Sequence, residues 1–224
     1  MRVLYDPCMR LRRSAVLLAA VPLLGLAACS DDSDSSDAAS AEGCTWTETG
    51  GAAKPVEPPA DDARPAGSVV ITINWQDVPV ELLPEPVCTT TSFTSLAEKG
   101  YFDDAPCSRV SDPTAVPYGI IQCGDPTGTG TGGPGYSFAD ELTGEEAYPA
   151  GSVAMANAGP DTNGSQFFLN FADSDFPPDY TVFGTISADG LAALEDVASV
   201  GAEGGAPDGP PAEPIVIESV RPVE

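Results

Sequence analysis

Hydrophobic and polar positions alternate along the chain from Ser68 onward, and the period changes from element to element. "SVVITINW" followed by "VPVELL" predicts two strands joined as a hairpin at Gln76-Asp77. In "TTTSFTSLAEKGYF", Phe93, Leu96 and Ala97 recur at helical spacing behind Thr and Ser, and Gly100 stops the run; a helix is predicted. Short apolar runs predict strands at 108–111, 119–123, 152–156, 166–170 and 181–186. "ADGLAALEDVASVG" puts Leu191, Leu194 and Val197 on one face of a second helix, and a last strand is expected at 214–220. Many short strands with two helices point to a closed β-barrel. No internal repeat is visible.

The chain before Ser68 reads differently. Arg10, Arg12 and Arg13 precede an apolar run from Ala15 to Ala28, which has the form of a signal peptide and is short for a membrane span. It ends in "LAAC" (Leu26 to Cys29), which resembles a bacterial lipobox and implies cleavage and lipidation at Cys29. "SDDSDSSDAASAEG" is acidic, low in complexity and unable to bury apolar surface. After "CTWTETG", which suggests a short strand, the Pro/Ala/Asp-rich stretch 52–67 reads as a linker. The expected organisation is a signal peptide over 1–28, a lipidated, flexible tether over 29–66, and one domain over 67–224. Taken as a random chain, 30–67 would hold the domain about 30 Å from its anchor.

Composition narrows the chemistry. A hydrophobic content of 42% over 224 residues suffices for one core, while Lys+Arg 9 against Asp+Glu 34 gives a net charge of −25. That balance disfavours nucleic acid and anionic lipid as partners. The chain has no His, so Ser-His-Asp triads, Cys-His pairs and His-based metal sites are excluded. No metal or cofactor is expected.

Two longer blocks carry a resemblance. "GIIQCGDPTGTGTGGPGYSFADE" (119–141) and "GSVAMANAGPDTNGSQFFLN" (151–170) resemble the two main sequence blocks of the cyclophilins, which are peptidyl-prolyl cis-trans isomerases, and "YTVFGTI" (180–186) resembles the block that follows them. The likeness runs over about residues 67 to 221 in the expected order. It implies a mainly β fold, an eight-stranded antiparallel closed barrel capped by two α-helices, and isomerisation of X-Pro bonds without nucleophile, metal or cofactor. Rotation about such a bond breaks amide resonance, at a barrier of about 18–20 kcal/mol. What the reaction needs is a grip on an extended peptide, an apolar recess for the proline ring and a donor that favours the twisted amide.

The resemblance assigns those parts. Arg109 matches the catalytic arginine, a fixed array of N–H donors for the proline carbonyl and the prolyl nitrogen. Without the resemblance, a lone arginine among so many carboxylates would read as a surface ion pair. Gln122 is assigned to position Arg109 or bind substrate backbone, and Gln166 likewise. Ala156 and Asn157 match positions that pair with an extended peptide. Phe168 matches a pocket aromatic, with Phe167 turned to the core by strand alternation. Ile120, Phe176 and Tyr180 complete the pocket and its rim. This chain departs from the family at "VSDPTAVPYGII" (110–121), which is longer than usual and places Gly119 where many relatives have a pocket Phe; Tyr118 or Tyr101 could supply the missing ring. "GDPTGTGTGGPG" (124–135) lacks the Lys-Ser/Thr ending of a phosphate-binding loop.

With Cys29 lipidated, Cys44, Cys88, Cys107 and Cys123 remain among those of the exported part, and four cysteines allow three connectivities. The strand placement implied by the resemblance favours Cys107–Cys123 and Cys44–Cys88. The expected partners are proline-containing segments of exported proteins, with membrane contact through the lipid alone and the domain a monomer. A non-catalytic peptide-binding module on the same scaffold, or a solute-binding lipoprotein, are the competing classes.

Overall fold

The computed structural model describes residues 40–223. The signal peptide and Cys29 lie outside them. Its elements are β1 (Thr47–Glu48), β2 (Ser68–Ile73), β3 (Gln76–Leu82), α1 (Val87–Glu98), β4 (Ala105–Pro106), β5 (Arg109–Ser111), β6 (Gly119–Cys123) and β7 (Tyr136–Ser137). They continue with β8 (Ser152–Met155), β9 (Phe167–Ala172), β10 (Val182–Ile186), α2 (Ala188–Ala198), β11 (Asp208–Gly209) and β12 (Val216–Val223).

One antiparallel sheet runs in the order β11-β5-β6-β9-β8-β10-β3-β2-β12-β4. With the short edge strand β11 set aside, its two ends, β4 and β5, belong to one stretch of chain. β4 pairs with β12 through Val216↔Pro106, while β5 pairs with β6 through Arg109↔Gln122. Between them the Cys107 N–H donates to the Ile215 carbonyl at 2.8 Å and the Ser108 N–H to the Gln122 carbonyl at 2.9 Å. The sheet therefore curls until this stretch bonds to both neighbours. With β4 and β5 counted as one strand, and β11 as an added edge, the ring has eight strands. Closing the sheet removes the exposed edges that invite association.

Period-2 alternation fills the interior. Val69, Ile71 and Ile73 of β2 face Val78, Val80 and Leu82 of β3 in the core, with Phe167, Leu169 and Phe183. α1 packs beside β12 and α2 beside β3 and β9. α2 begins where expected: the Ser187 side chain accepts from the Gly190 N–H, and Leu194 and Val197 are buried with Leu191 partly so.

Four local expectations change. The first hairpin turns at Asn74-Trp75, not at Gln76-Asp77; both turn residues have positive φ, 44° and 64°, the geometry whose twist matches that of the strands. α1 starts at Val87 behind Pro86, which offers no capping side chain. Instead the Glu141 carboxylate accepts from the N–H groups of Cys88 and Thr89 and from the Thr89 hydroxyl, at 3.0, 2.8 and 2.7 Å. Leu191 contributes less to the buried face of α2 than Gly190 and Ala198.

The fourth change concerns the tether. From Ser40 the chain is tied to the domain, so residues 40–66 are not a free tether. Cys44 is bonded to Cys88 at the start of α1, β1 pairs with β7, and the Trp46 ring stands edge-on to Tyr136 and Phe138. Farther on, Lys54 Nζ donates to the Gly100 and Tyr101 carbonyls at 2.7 and 3.2 Å, and Val56 packs against the core. The second disulfide joins Cys107 to Cys123 across adjacent strands.

Candidate active site

Strand register builds the site. Arg109 on β5 lies opposite Gln122 on β6, Gln122 opposite Phe168 on β9, Phe168 opposite Ala154 on β8, and Ala154 opposite Val182 on β10. Directly opposed residues point to the same side of a sheet. A guanidinium, an amide and an aromatic ring thus stand in one row on the outer face of the barrel.

An apolar cluster separate from the barrel core forms around Phe168. Ile120, Tyr148, Ala154 and Phe168 are buried in it, with Tyr118, Ala156, Phe176, Tyr180 and Val182 packed against them. The Phe168 ring sits 5.7 Å from Phe176 and 5.5 Å from Tyr180 between centroids, both edge-on. Tyr118 stacks on Phe176 at 4.8 Å, so it is the ring that fills the altered segment. Tyr101 is fully buried in the core beside Phe102 and does not reach this face. Gly119 admits no side chain at all: a Cβ there would lie 2.5 Å from that of Ala172 on β9.

The guanidinium is clamped on one edge. Asp208 accepts from Arg109 Nε at 2.7 Å and Nη2 at 2.6 Å, and Nη2 also donates to the Tyr118 hydroxyl at 3.3 Å. The Tyr118 hydroxyl in turn donates to Asp208 at 3.0 Å. The hydrogen bond to Asp208 holds the Arg109 pKa above its ordinary value against the opposing effect of burial, and the same bond depresses Asp208. Nη1 has no hydrogen-bond partner among the described residues. The ion pair that a lone arginine suggests is therefore present, and it leaves one donor edge open.

The two glutamines form a relay. Gln122 Nε2 donates to Gln166 Oε1 at 3.0 Å, and Gln166 Nε2 donates to the Gly132 carbonyl at 3.0 Å. Gly132 is fixed by Asp125, which accepts from its N–H at 2.9 Å. Asp125 also takes the N–H groups of Thr127, Thr129 and Thr131, so the amides of this Gly-rich loop turn inward onto a carboxylate of the protein itself. Asn157 spends its side chain internally, donating to the Asp179 carbonyl at 2.9 Å and accepting from the Gly159 N–H at 3.2 Å. These bonds fix the side chain beside a main chain that can pair with a peptide. Ala156 bridges the apolar cluster and a pocket of about 450 Å³ that Gln122, Asn157 and Gln166 also line.

Sequence reasoning missed Asp208 and Tyr148. Asp208 is 99 positions from Arg109 and is one of many carboxylates, so nothing local distinguishes it. The Tyr148 hydroxyl donates to the carbonyls of Pro177 and Tyr180 and accepts from the Tyr180 N–H, pinning the rim; burial pushes its pKa up to about 12.

Comparison with known proteins identifies the family. The model of the family described as cyclophilin type peptidyl-prolyl cis-trans isomerase/CLD matches residues 64–222. The probable peptidyl-prolyl cis-trans isomerase B of Mycobacterium leprae is 45% identical over 187 residues, covering 76% of this chain and 63% of that protein. Its namesake in Mycobacterium tuberculosis is 44% identical over 186 residues, 75% and 60%. The chain thus spans about three fifths of the length of these relatives. A cyclophilin type peptidyl-prolyl cis-trans isomerase of Cryptosporidium parvum superposes with a TM-score of 0.59 at 30% identity, over 71% of this chain and 98% of that one. A second structure of it, in the presence of the dipeptide Ala-Pro, gives 0.56 at 30% identity over 70% and 99%. This chain belongs to the cyclophilin type peptidyl-prolyl cis-trans isomerase family.

Proposed function

We propose that the protein is a peptidyl-prolyl cis-trans isomerase that acts on proline-containing segments of exported proteins outside the cytoplasm, tethered to the membrane by lipid on Cys29. The observation that carries the catalytic part is the row Arg109, Gln122, Phe168. In this reading the proline ring enters the recess of Phe168, Ile120, Phe176 and Tyr180. The peptide backbone pairs with the main chain at Ala156 and Asn157, and Gln122 and Gln166 hold its amides. As the X-Pro amide twists, the nitrogen lone pair leaves resonance and becomes an acceptor. Arg109 Nη1 donates to it, an interaction stronger in the transition state than in the planar ground state. Asp208 and Tyr118 fix the other edge, so the donor need not be reoriented during the reaction. The two disulfides support an oxidising compartment.

Non-catalytic peptide binding is the second reading. What favours it is Asp208, whose charge offsets that of Arg109 and whose oxygens occupy two of its donors. A protease-coupled assay on a short X-Pro peptide separates the two. The native chain is expected to turn over, and Arg109→Ala to lose on the order of 100-fold in kcat/KM with an unchanged circular dichroism spectrum. Peptide binding with no turnover in the native chain, or an Arg109→Ala variant as active as the parent, overturns the catalytic reading.

A further inference from the structure

The pocket beside the proline recess has two walls of different origin. One is the groove itself, with Gln122, Ala156, Asn157 and Gln166; the other is residues 49–52 of the segment that precedes the barrel. The family match begins at residue 64, so this second wall comes from outside it. It is firmly built. The Cys44–Cys88 bond fixes its root, and β1 pairs with β7. The Thr49 N–H donates to the Gly135 carbonyl at 2.9 Å and the Ala53 N–H to the Gly133 carbonyl at 3.0 Å. The arm lies close against the Gly-rich loop: a Cβ at Gly135 would lie 3.0 Å from that of Ala52, and one at Gly132, already 2.0 Å from Asp125 Oδ1, would lie 2.8 Å from that of Ala53.

The lining is unusual for so acidic a chain. No charged side chain contributes to it; hydroxyls, amides and glycine main chain do, beside small apolar surface from Ala52, Ala156, Ala158 and Pro134. We infer that residues 49–52 form a specificity wall, which with the groove selects a small, uncharged, hydrogen-bonding side chain such as Ser, Thr or Asn of the bound peptide. The inference rests on the peptide-binding reading above and adds a determinant to it. Ala156 belongs to both the recess and the pocket, and side chains of an extended peptide alternate in direction. The selected residue therefore lies two positions from the proline. A charged side chain there would lose water and find no counter-charge, which is costly.

The test is a peptide panel on the full chain, varied two positions before and two positions after proline, with Ser, Asn, Lys, Glu and Trp at each. Binding of labelled peptides is followed by anisotropy beside turnover. The native chain is expected to prefer Ser and Asn over Lys and Glu by about tenfold at one of the two positions. Releasing the wall with Cys44→Ser/Cys88→Ser/Trp46→Ala should bring that preference to within about twofold, with hydrogen exchange at 47–56 reporting the release. Ala52→Asp, which keeps the staple, should instead turn the preference toward Lys by about tenfold. A native panel flat at both positions, or a preference that neither variant moves, overturns the inference. A preference seen in binding without turnover upholds the wall while counting against catalysis, so the two readings fail separately.

Discussion

At the scale of single residues, Asp125 shows how a buried charge can organise a surface loop. It is 1% exposed, and burial alone would raise its carboxyl. Hydrogen bonds from the Gly132 and Thr127 N–H groups and the Thr127 and Thr129 hydroxyls outweigh that, and bring its pKa from 3.8 down to about 2. The fold thus prefers the ionised form. The resulting stability is fully present above the unfolded pKa and is lost as pH falls through the folded one. A depression of this size corresponds to about 2 kcal/mol at neutral pH. Urea unfolding should therefore find Asp125→Asn less stable than the parent by about that amount at pH 6. The gap should close as pH approaches 2; curves that stay parallel from pH 6 to pH 2.5 would remove Asp125 from this role. The consequence reaches the site through Gly132, whose carbonyl orients Gln166 and through it Gln122. The sequence shows a loop rich in Gly and Thr but not the direction its amides face, because direction depends on which atom sits at the centre.

Elements were legible where the signal is periodic and local. Alternation identified β2 and β3, short apolar runs identified β6 and β9, and the helical spacing of Leu191, Leu194 and Val197 identified α2, because each signal lies within a few residues. The start of α1 was less legible, since its cap, Glu141, is 53 positions from Cys88. Likewise the Asn74-Trp75 turn breaks expectation because Trp, 85% exposed, takes a left-handed backbone normally left to Gly or Asn. Of the site, the resemblance supplied Arg109, Gln122, Gln166 and Phe168, and register then explains their row. It could not supply Asp208, which only the short edge strand β11 brings beside Arg109. The Glu141 cap gives a direct check on this kind of long-range support. Glu141→Ala leaves two helix N–H groups and the Thr89 hydroxyl without their acceptor, and should cost about 1–2 kcal/mol in urea unfolding. A midpoint unchanged within error would mean that solvent caps α1 equally well.

For the whole molecule, charge and anchor act in opposite directions. With a net charge of −25, the chain is repelled by anionic lipid, which disfavours electrostatic attachment to a membrane. In the proposed reading attachment rests on acyl chains at Cys29, and two chains suffice for stable anchoring where one gives only marginal binding. Among the described residues, the segment that precedes the barrel is held to it by the Cys44–Cys88 bond. Two fractionation outcomes follow. The native protein should stay with membranes through a wash in 1 M NaCl, a condition that strips proteins held by charge, because its attachment has no ionic component. Cys29→Ser should appear in the soluble fraction at every salt concentration while keeping the prolyl isomerase activity of the parent. Membrane retention of Cys29→Ser, or release of the native chain by salt, would refute lipid as the anchor.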